Sequence, residues 1–135
     1  MKAADTNVLV RVITGDDQAQ LPLAEAWLSS GAWVSGLVLV ELSWVLRSAY
    51  KFPKEDVLAA IEAVLSLPGI SVEDEAIVRS AVGSWSAAKG DVDFADCMIL
   101  HTAARAGHGP LGTFDGDLSK VPGTQRLGVA KRRRN

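Results

Sequence analysis

Cysteine is nearly missing from this chain: Cys97 is the single one in 135 residues. One thiol cannot make an intrachain disulfide or a Cys-rich zinc site, and its expected place is a small buried core position. No apolar run reaches 18 residues, so no membrane-spanning helix is expected. The N-terminus meets an acid at Asp5 and lacks the long apolar stretch of a secretory leader, which makes a cytoplasmic protein the default. An excess of one charge is lacking too. Lys and Arg number 14 against 16 Asp and Glu, a formal net charge of −2. Bulk positive charge therefore does not hold this chain on nucleic acid, although a local basic patch remains open. Aromatic residues are 6% of the chain. Trp27, Trp33, Trp44 and Trp85 are not interleaved with basic residues, as a single-strand stacking platform would require. Most of them are expected in the core or at a dimer interface. The two histidines, His101 and His108, form no ligand pair with Cys97. No Ser–His or Cys–His arrangement for covalent catalysis presents itself.

Hydrophobic residues make up 48% and charged residues 22%, which is ordinary for a packed domain and too apolar for a disordered chain. The length fits one domain, taken as residues 1–130, with 131–135 as a basic, flexible tail that either touches nucleic-acid phosphates or is simply solvated. Short apolar segments alternate with helical ones. Strands are expected up to Asp5, at Ala32–Ser35, Ile70–Val72 and Pro110–Thr113, and a fifth at Gln125–Val129. Helices are expected after Asp5, from an Asp16–Asp17 cap through Trp27, over Leu37–Tyr50 and from Lys54. Two more should run from Glu73 to about Gly90 and from Asp93 to Ala106. The alternation implies an α/β fold, a parallel sheet covered on both faces.

Most charges in this pattern read as caps or solvated faces; a few do not. Glu41 has Leu37, Val38, Trp44 and Val45 at its i±3 and i±4 positions, so it is expected either to be buried with a partner such as Arg11 or to serve a site. Asp93 and Asp96 share a helix face. Asp93 can be an N-cap, whereas Asp96 lies too far into the helix for capping. Asp5 ends the first expected strand, and Asp115 and Asp117 follow the fourth, where an Asp-Gly turn is the plain alternative. Ligands of parallel α/β sheets bind at the carboxyl ends of the strands, so these acids are expected to converge on one cleft. Crowded carboxylates repel unless a cation neutralises them. All-oxygen ligation suits Mg²⁺ or Mn²⁺, and such a site suits metal-assisted phosphodiester hydrolysis with an activated water.

Taken in order, Asp5-Thr6-Asn7, Glu41 in Leu-Val-Glu-Leu, Asp93-Phe94-Ala95-Asp96 and Thr113-Phe114-Asp115-Gly116-Asp117 resemble the motifs of PIN-domain ribonucleases, specifically VapC-type toxins of toxin–antitoxin pairs. The resemblance implies a three-layer α/β/α sandwich around a mainly parallel sheet of four to five short strands. It also implies an Mg²⁺-dependent endoribonuclease, with Mn²⁺ able to substitute. The family's core acids fall on Asp5, Glu41, Asp96 and Asp115. Asp5, Asp96 and Asp115 would hold the metal, with Glu41 a ligand or a water-orienting acceptor. Asp93 and Asp117 match accessory acids, Asn7 a position supporting the metal-site geometry, and Thr113 a hydroxyl expected to hold a carboxylate or phosphate. Expected partners are RNA, a second copy of the chain, and a cognate antitoxin covering the acids. The alternatives are a non-catalytic PIN-like module that binds RNA or a partner, and a phospho-acceptor receiver. The receiver fits poorly, because Asp115 stands where its late lysine would lie.

Overall fold

The computed structural model describes residues 1–128. The basic run 131–135 and the end of the expected fifth strand at Val129 lie outside the described residues. Contacts divide the chain into two compact units, Met1–Val78 and the residues from Arg79 on.

In the first unit, α1 (Thr6–Thr14) opens on Asp5, whose extended backbone and side chain cap it, and closes on Gly15 at a φ of 61°. That left-handed turn favours glycine because it has no Cβ to clash. Leu9 and Val10 are buried on α1. The expected strand before Asp5 shrinks to one parallel bridge, Ala3 with Trp33. The Ala4 N–H donates to the Trp33 carbonyl at 2.9 Å and the Trp33 N–H to the Lys2 carbonyl at 2.7 Å. The turn into α1 leaves too little extended chain for a longer ladder.

α2 spans Leu21–Ser29 and has no side-chain cap, contrary to the expected Asp16–Asp17 cap. The Asp17 carboxylate instead accepts from the Ala19 and Gln20 N–H groups, both at 3.0 Å, closing a turn ahead of the helix. Pro22 sits in the first helical turn, where its missing N–H costs nothing. β1 (Ala32–Val34) pairs in parallel with β2 (Ile70–Val72), Ala32 opposite Ile70 and Val34 opposite Val72. α3 (Gly36–Ser48) starts where the Ser35 hydroxyl accepts from the Val38 N–H. It ends before Pro53, which is the N-cap of α4 (Lys54–Ser66). Leu39, Leu42, Leu46, Val57, Ile61 and Val64 form the apolar core faces of α3 and α4.

α5 (Glu75–Ala87) spans the boundary between the units and stops short of Lys89-Gly90. In the second unit, α6 (Phe94–Arg105) is followed by β3 (Leu111–Thr113), a 3-10 turn over Leu118–Lys120, and β4 (Thr124–Arg126). β3 and β4 pair in parallel, Leu111 opposite Thr124. Trp85 and Phe94 are buried with their ring centres 5.9 Å apart, and the Trp85 Nε1–H donates to the Val92 carbonyl at 2.8 Å. The indole thereby keeps its polar atom satisfied inside the core. Cys97 is buried and in no disulfide, as expected.

The protein is thus α/β, and the four strands among the described residues form two pairs, both parallel. The tryptophans, expected in the core or at a dimer interface, fall into two groups. Only Trp85 is core, while Trp44 is 68% exposed and Trp27 and Trp33 are partly exposed. Among the described residues no helix is long and apolar enough to cross a membrane.

Candidate active site

Asp5, Asn7 and Glu41 belong to the first unit; Asp93, Asp96, Thr113, Asp115 and Asp117 belong to the second. Asp5 is exposed at the head of α1, and its Oδ1 accepts from the Thr6 N–H at 2.8 Å. The free N–H groups of a helix start and the positive end of its macrodipole face a side chain at this position. Asn7, the second residue of α1, lines a groove of about 370 Å³ along α1 and α2 with Arg11, Leu23 and Trp27.

Glu41 overturns its expectation of burial. It is exposed in the middle of α3. Two of its apolar neighbours are exposed as well, Leu37 at 82% and Trp44 at 68%. The outer face of α3 is itself apolar, so apolar neighbours did not mean an interior position. Nor does Arg11 pair with Glu41. Its guanidinium is taken by Asp16 at 3.0 Å, Gln20 at 2.6 Å and the Tyr50 hydroxyl at 3.2 Å.

Asp93 and Asp96 form a reciprocal capping box on α6. The Asp96 N–H donates to Asp93 Oδ1 at 2.9 Å and the Asp93 N–H to Asp96 Oδ2 at 3.2 Å. Asp96 is therefore within reach of capping after all, as the third helical residue whose side chain folds back. Burial holds its carboxyl above the ordinary value, and the Asp93 and Asp115 carboxylates add to that rise. The Asp93 N–H bond works against the rise without cancelling it.

Asp115 is held from two sides. Its Oδ2 accepts from the Leu118 N–H at 2.7 Å, and its own N–H donates to the Thr113 hydroxyl at 3.0 Å. Thr113 thus grips the Asp115 backbone. Asp117 turns to the loop before α6, accepting from the Asp91 N–H at 2.8 Å. Gly90 lies beneath it at a φ of +82°, and a Cβ there would stand 2.6 Å from the Asp117 carboxyl carbon.

A family model described as PIN domain matches residues 3–124. The chain belongs to the PIN-domain family. It is 28% identical over 112 residues to a VapC ribonuclease of Aquifex aeolicus (strain VF5), covering 79% of this chain and 82% of that protein. Among solved structures, VapC20 of Mycobacterium tuberculosis, titled a sarcin-ricin loop cleaving toxin, aligns at 20% identity. That alignment covers 89% of this chain and 94% of the other, with a TM-score of 0.39.

The resemblance of this PIN domain to metal-dependent nucleases raises the question of fit. Among the described residues, no group of three or more His, Cys, Asp or Glu is arranged to hold a metal ion. Mg²⁺ usually takes only one or two carboxylates and keeps several waters. The donors are all hard oxygens, and the mutual repulsion of Asp96, Asp93 and Asp115 is what a cation relieves. The residues fit such an ion on those terms.

Three features of this PIN domain were not foreseen. The Gly90-Asp91 loop is one; its signal was a glycine just ahead of a cap. The second is the Ser84 hydroxyl, 2.6 Å from His101 Nε2. Burial pushes His101 below its ordinary value, favouring the neutral ring. Seventeen residues separate the pair, and only the packing of α5 against α6 could bring them together. The third is a pair of lysines, Lys89 and Lys120, on one cavity.

Proposed function

We propose that the chain is a metal-dependent endoribonuclease that hydrolyses RNA phosphodiester bonds and acts in the cytoplasm as the toxin of a VapBC-type pair. The observation that carries this reading is the Asp96 carboxyl, raised by burial and by two neighbouring acids, within a chain matched by the PIN family over residues 3–124. Naming of the Aquifex relative as a VapC ribonuclease supports the substrate class.

In this reading Asp5, Asp96 and Asp115 would hold Mg²⁺ or Mn²⁺. When bound, such an ion polarises the phosphoryl group and acidifies water. The chain's own residues do the rest. The Thr6 N–H at the start of α1 holds the Asp5 carboxylate. Asp93 fixes Asp96 through the capping box, and Thr113 and the Leu118 N–H fix Asp115. Glu41, exposed and without a hydrogen-bond or ion-pair partner among the described residues, is the acceptor that orients the attacking water. A homodimer, and an antitoxin segment that covers these acids, complete the proposal.

The test is a cleavage assay on total RNA with mapped ends. Asp5→Asn should abolish cleavage, a loss of at least about a hundredfold, with an unchanged circular dichroism spectrum. EDTA should stop the wild-type reaction and Mg²⁺ or Mn²⁺ restore it. Full cleavage by Asp5→Asn, or cleavage indifferent to chelator, sinks the reading. Expressing the chain alone should slow growth, and Asp96→Ala should relieve the effect.

A further inference from the structure

A cavity of about 420 Å³ in the second unit is lined by Ser84, Ala87, Lys89, Asp117, Lys120 and Val121, among others. Its size is that of a small-ligand site. Both lysines are exposed, and among the described residues neither ammonium group has a hydrogen-bond or ion-pair partner. The acid in the wall is already engaged, since Asp117 accepts from the Asp91 N–H at 2.8 Å. Ser84 is committed to His101. What the cavity presents to a ligand is therefore two ammonium groups beside one hydrogen-bonded carboxylate, over an apolar floor of Ala87 and Val121. An anion carrying a flat apolar body matches that lining, and a nucleotide is such a molecule. The place is also apt, because Asp117 lies two residues beyond Asp115, whose charge is felt at Asp96.

We propose that this cavity is a subsite for one nucleotide of the RNA strand next to the bond that is cut, with Lys89 and Lys120 taking its phosphate and Ala87 and Val121 its base. The choice of RNA as ligand rests on the nuclease reading above. The cavity itself does not. Lysine contacts to phosphate release counterions, so they give affinity that falls with salt and that does not depend on base identity. The two lysines set how tightly the strand is held, and the acids set how fast it is cut.

The experiment measures binding of a short labelled single-stranded RNA to the non-cleaving Asp5→Asn chain across a series of salt concentrations. Lys89→Gln and Lys120→Gln, added singly to that chain, should each weaken binding about 3–10-fold and lower the slope of log affinity against log salt by about 0.7. The double change should lower the slope about twice as much. Lys51→Gln, on an exposed lysine of the first unit, should leave both unchanged. In the cleaving chain the double change should raise KM several-fold more than it lowers kcat. An unaltered salt slope in the double variant, or a chain that binds no RNA, overturns the subsite. RNA binding with the expected loss of slope, in a protein that cuts nothing, leaves the subsite standing and removes the nuclease reading.

Discussion

Asp96 meets two demands that pull against each other. Its side chain must accept from the Asp93 N–H to start α6, while burial and the charges of Asp93 and Asp115 favour its neutral form. A carboxyl held above its unfolded value contributes stability that is complete below the unfolded pKa. That contribution is lost as pH rises through the folded pKa. The metal-free protein should therefore be strained at this residue at neutral pH and relaxed in acid. Asp96→Asn keeps an acceptor for the Asp93 N–H and removes the charge. We expect it to raise the stability of the EDTA-treated protein at pH 7 by less than about 1 kcal/mol, because the group is partly exposed and screened. The gain should vanish toward pH 4, as read by urea titration at each pH. A gain that persists in acid would show that packing, not charge, accounts for it. Residues of this kind are half legible from the chain. Asp93 declared itself as a cap, whereas Asp96 seemed too deep for one because a spacing count does not show a side chain folding back. Glu41 was misplaced for a different reason. The rule that apolar neighbours mean burial fails on a helix whose outer face is apolar, as Leu37 and Trp44 make this one.

Elements were legible where one local signal had no competitor. Asp93, read as a possible cap, does start the helix that follows it, whereas Ser35, read as the end of a strand, caps α3. The start of α2 was misjudged because Asp17 had two local uses, and the turn with Ala19 and Gln20 won over the cap. The loop before α6 was invisible, since its partner Asp117 lies 26 residues along the chain from Asp91. That loop carries its own prediction. Gly90 combines a φ of +82° with the Asp117 carboxyl carbon 2.6 Å from any added Cβ. Gly90→Ala should cost at least about 1–2 kcal/mol from the left-handed backbone alone, with a further part from displacing Asp117. Asp117→Ala removes the acceptor for the Asp91 N–H and should cost about 1 kcal/mol, whereas Asp117→Asn, which keeps an acceptor, should cost clearly less. If Asp117 steadies this loop, the costs of Gly90→Ala and Asp117→Ala will add to less than their sum in the double variant. Strict additivity in chemical denaturation would separate the two residues.

At the scale of the whole molecule, charge is distributed less evenly than its total suggests. Setting aside Asp5, Glu41, Asp93, Asp96, Asp115 and Asp117 leaves 10 acids against 14 basic residues, so the rest of the chain is modestly basic beneath a net charge of −2. A near-neutral total therefore gives no reason to doubt an RNA partner, and a single divalent ion would bring the formal charge to zero. In the proposed reading such an ion would bind the folded chain and not the unfolded one, so it should stabilise by mass action, about 2.7 kcal/mol at a concentration one hundred times its Kd. For a chain of this length that is a rise in Tm on the order of 10 °C. We expect Mg²⁺ or Mn²⁺ added to the EDTA-stripped protein to raise its Tm progressively with concentration, with Ca²⁺ as a charge-matched control. Asp5→Asn and Asp115→Asn each remove one proposed ligand from a different unit, and each should blunt the response. The comparison matters more than the rise itself, since any divalent ion screens a carboxylate cluster to some extent. If the second unit's acids alone bind the ion, Asp115→Asn will abolish the shift and Asp5→Asn will leave it whole. That result would remove Asp5 from the ligand set without touching its role as the cap of α1.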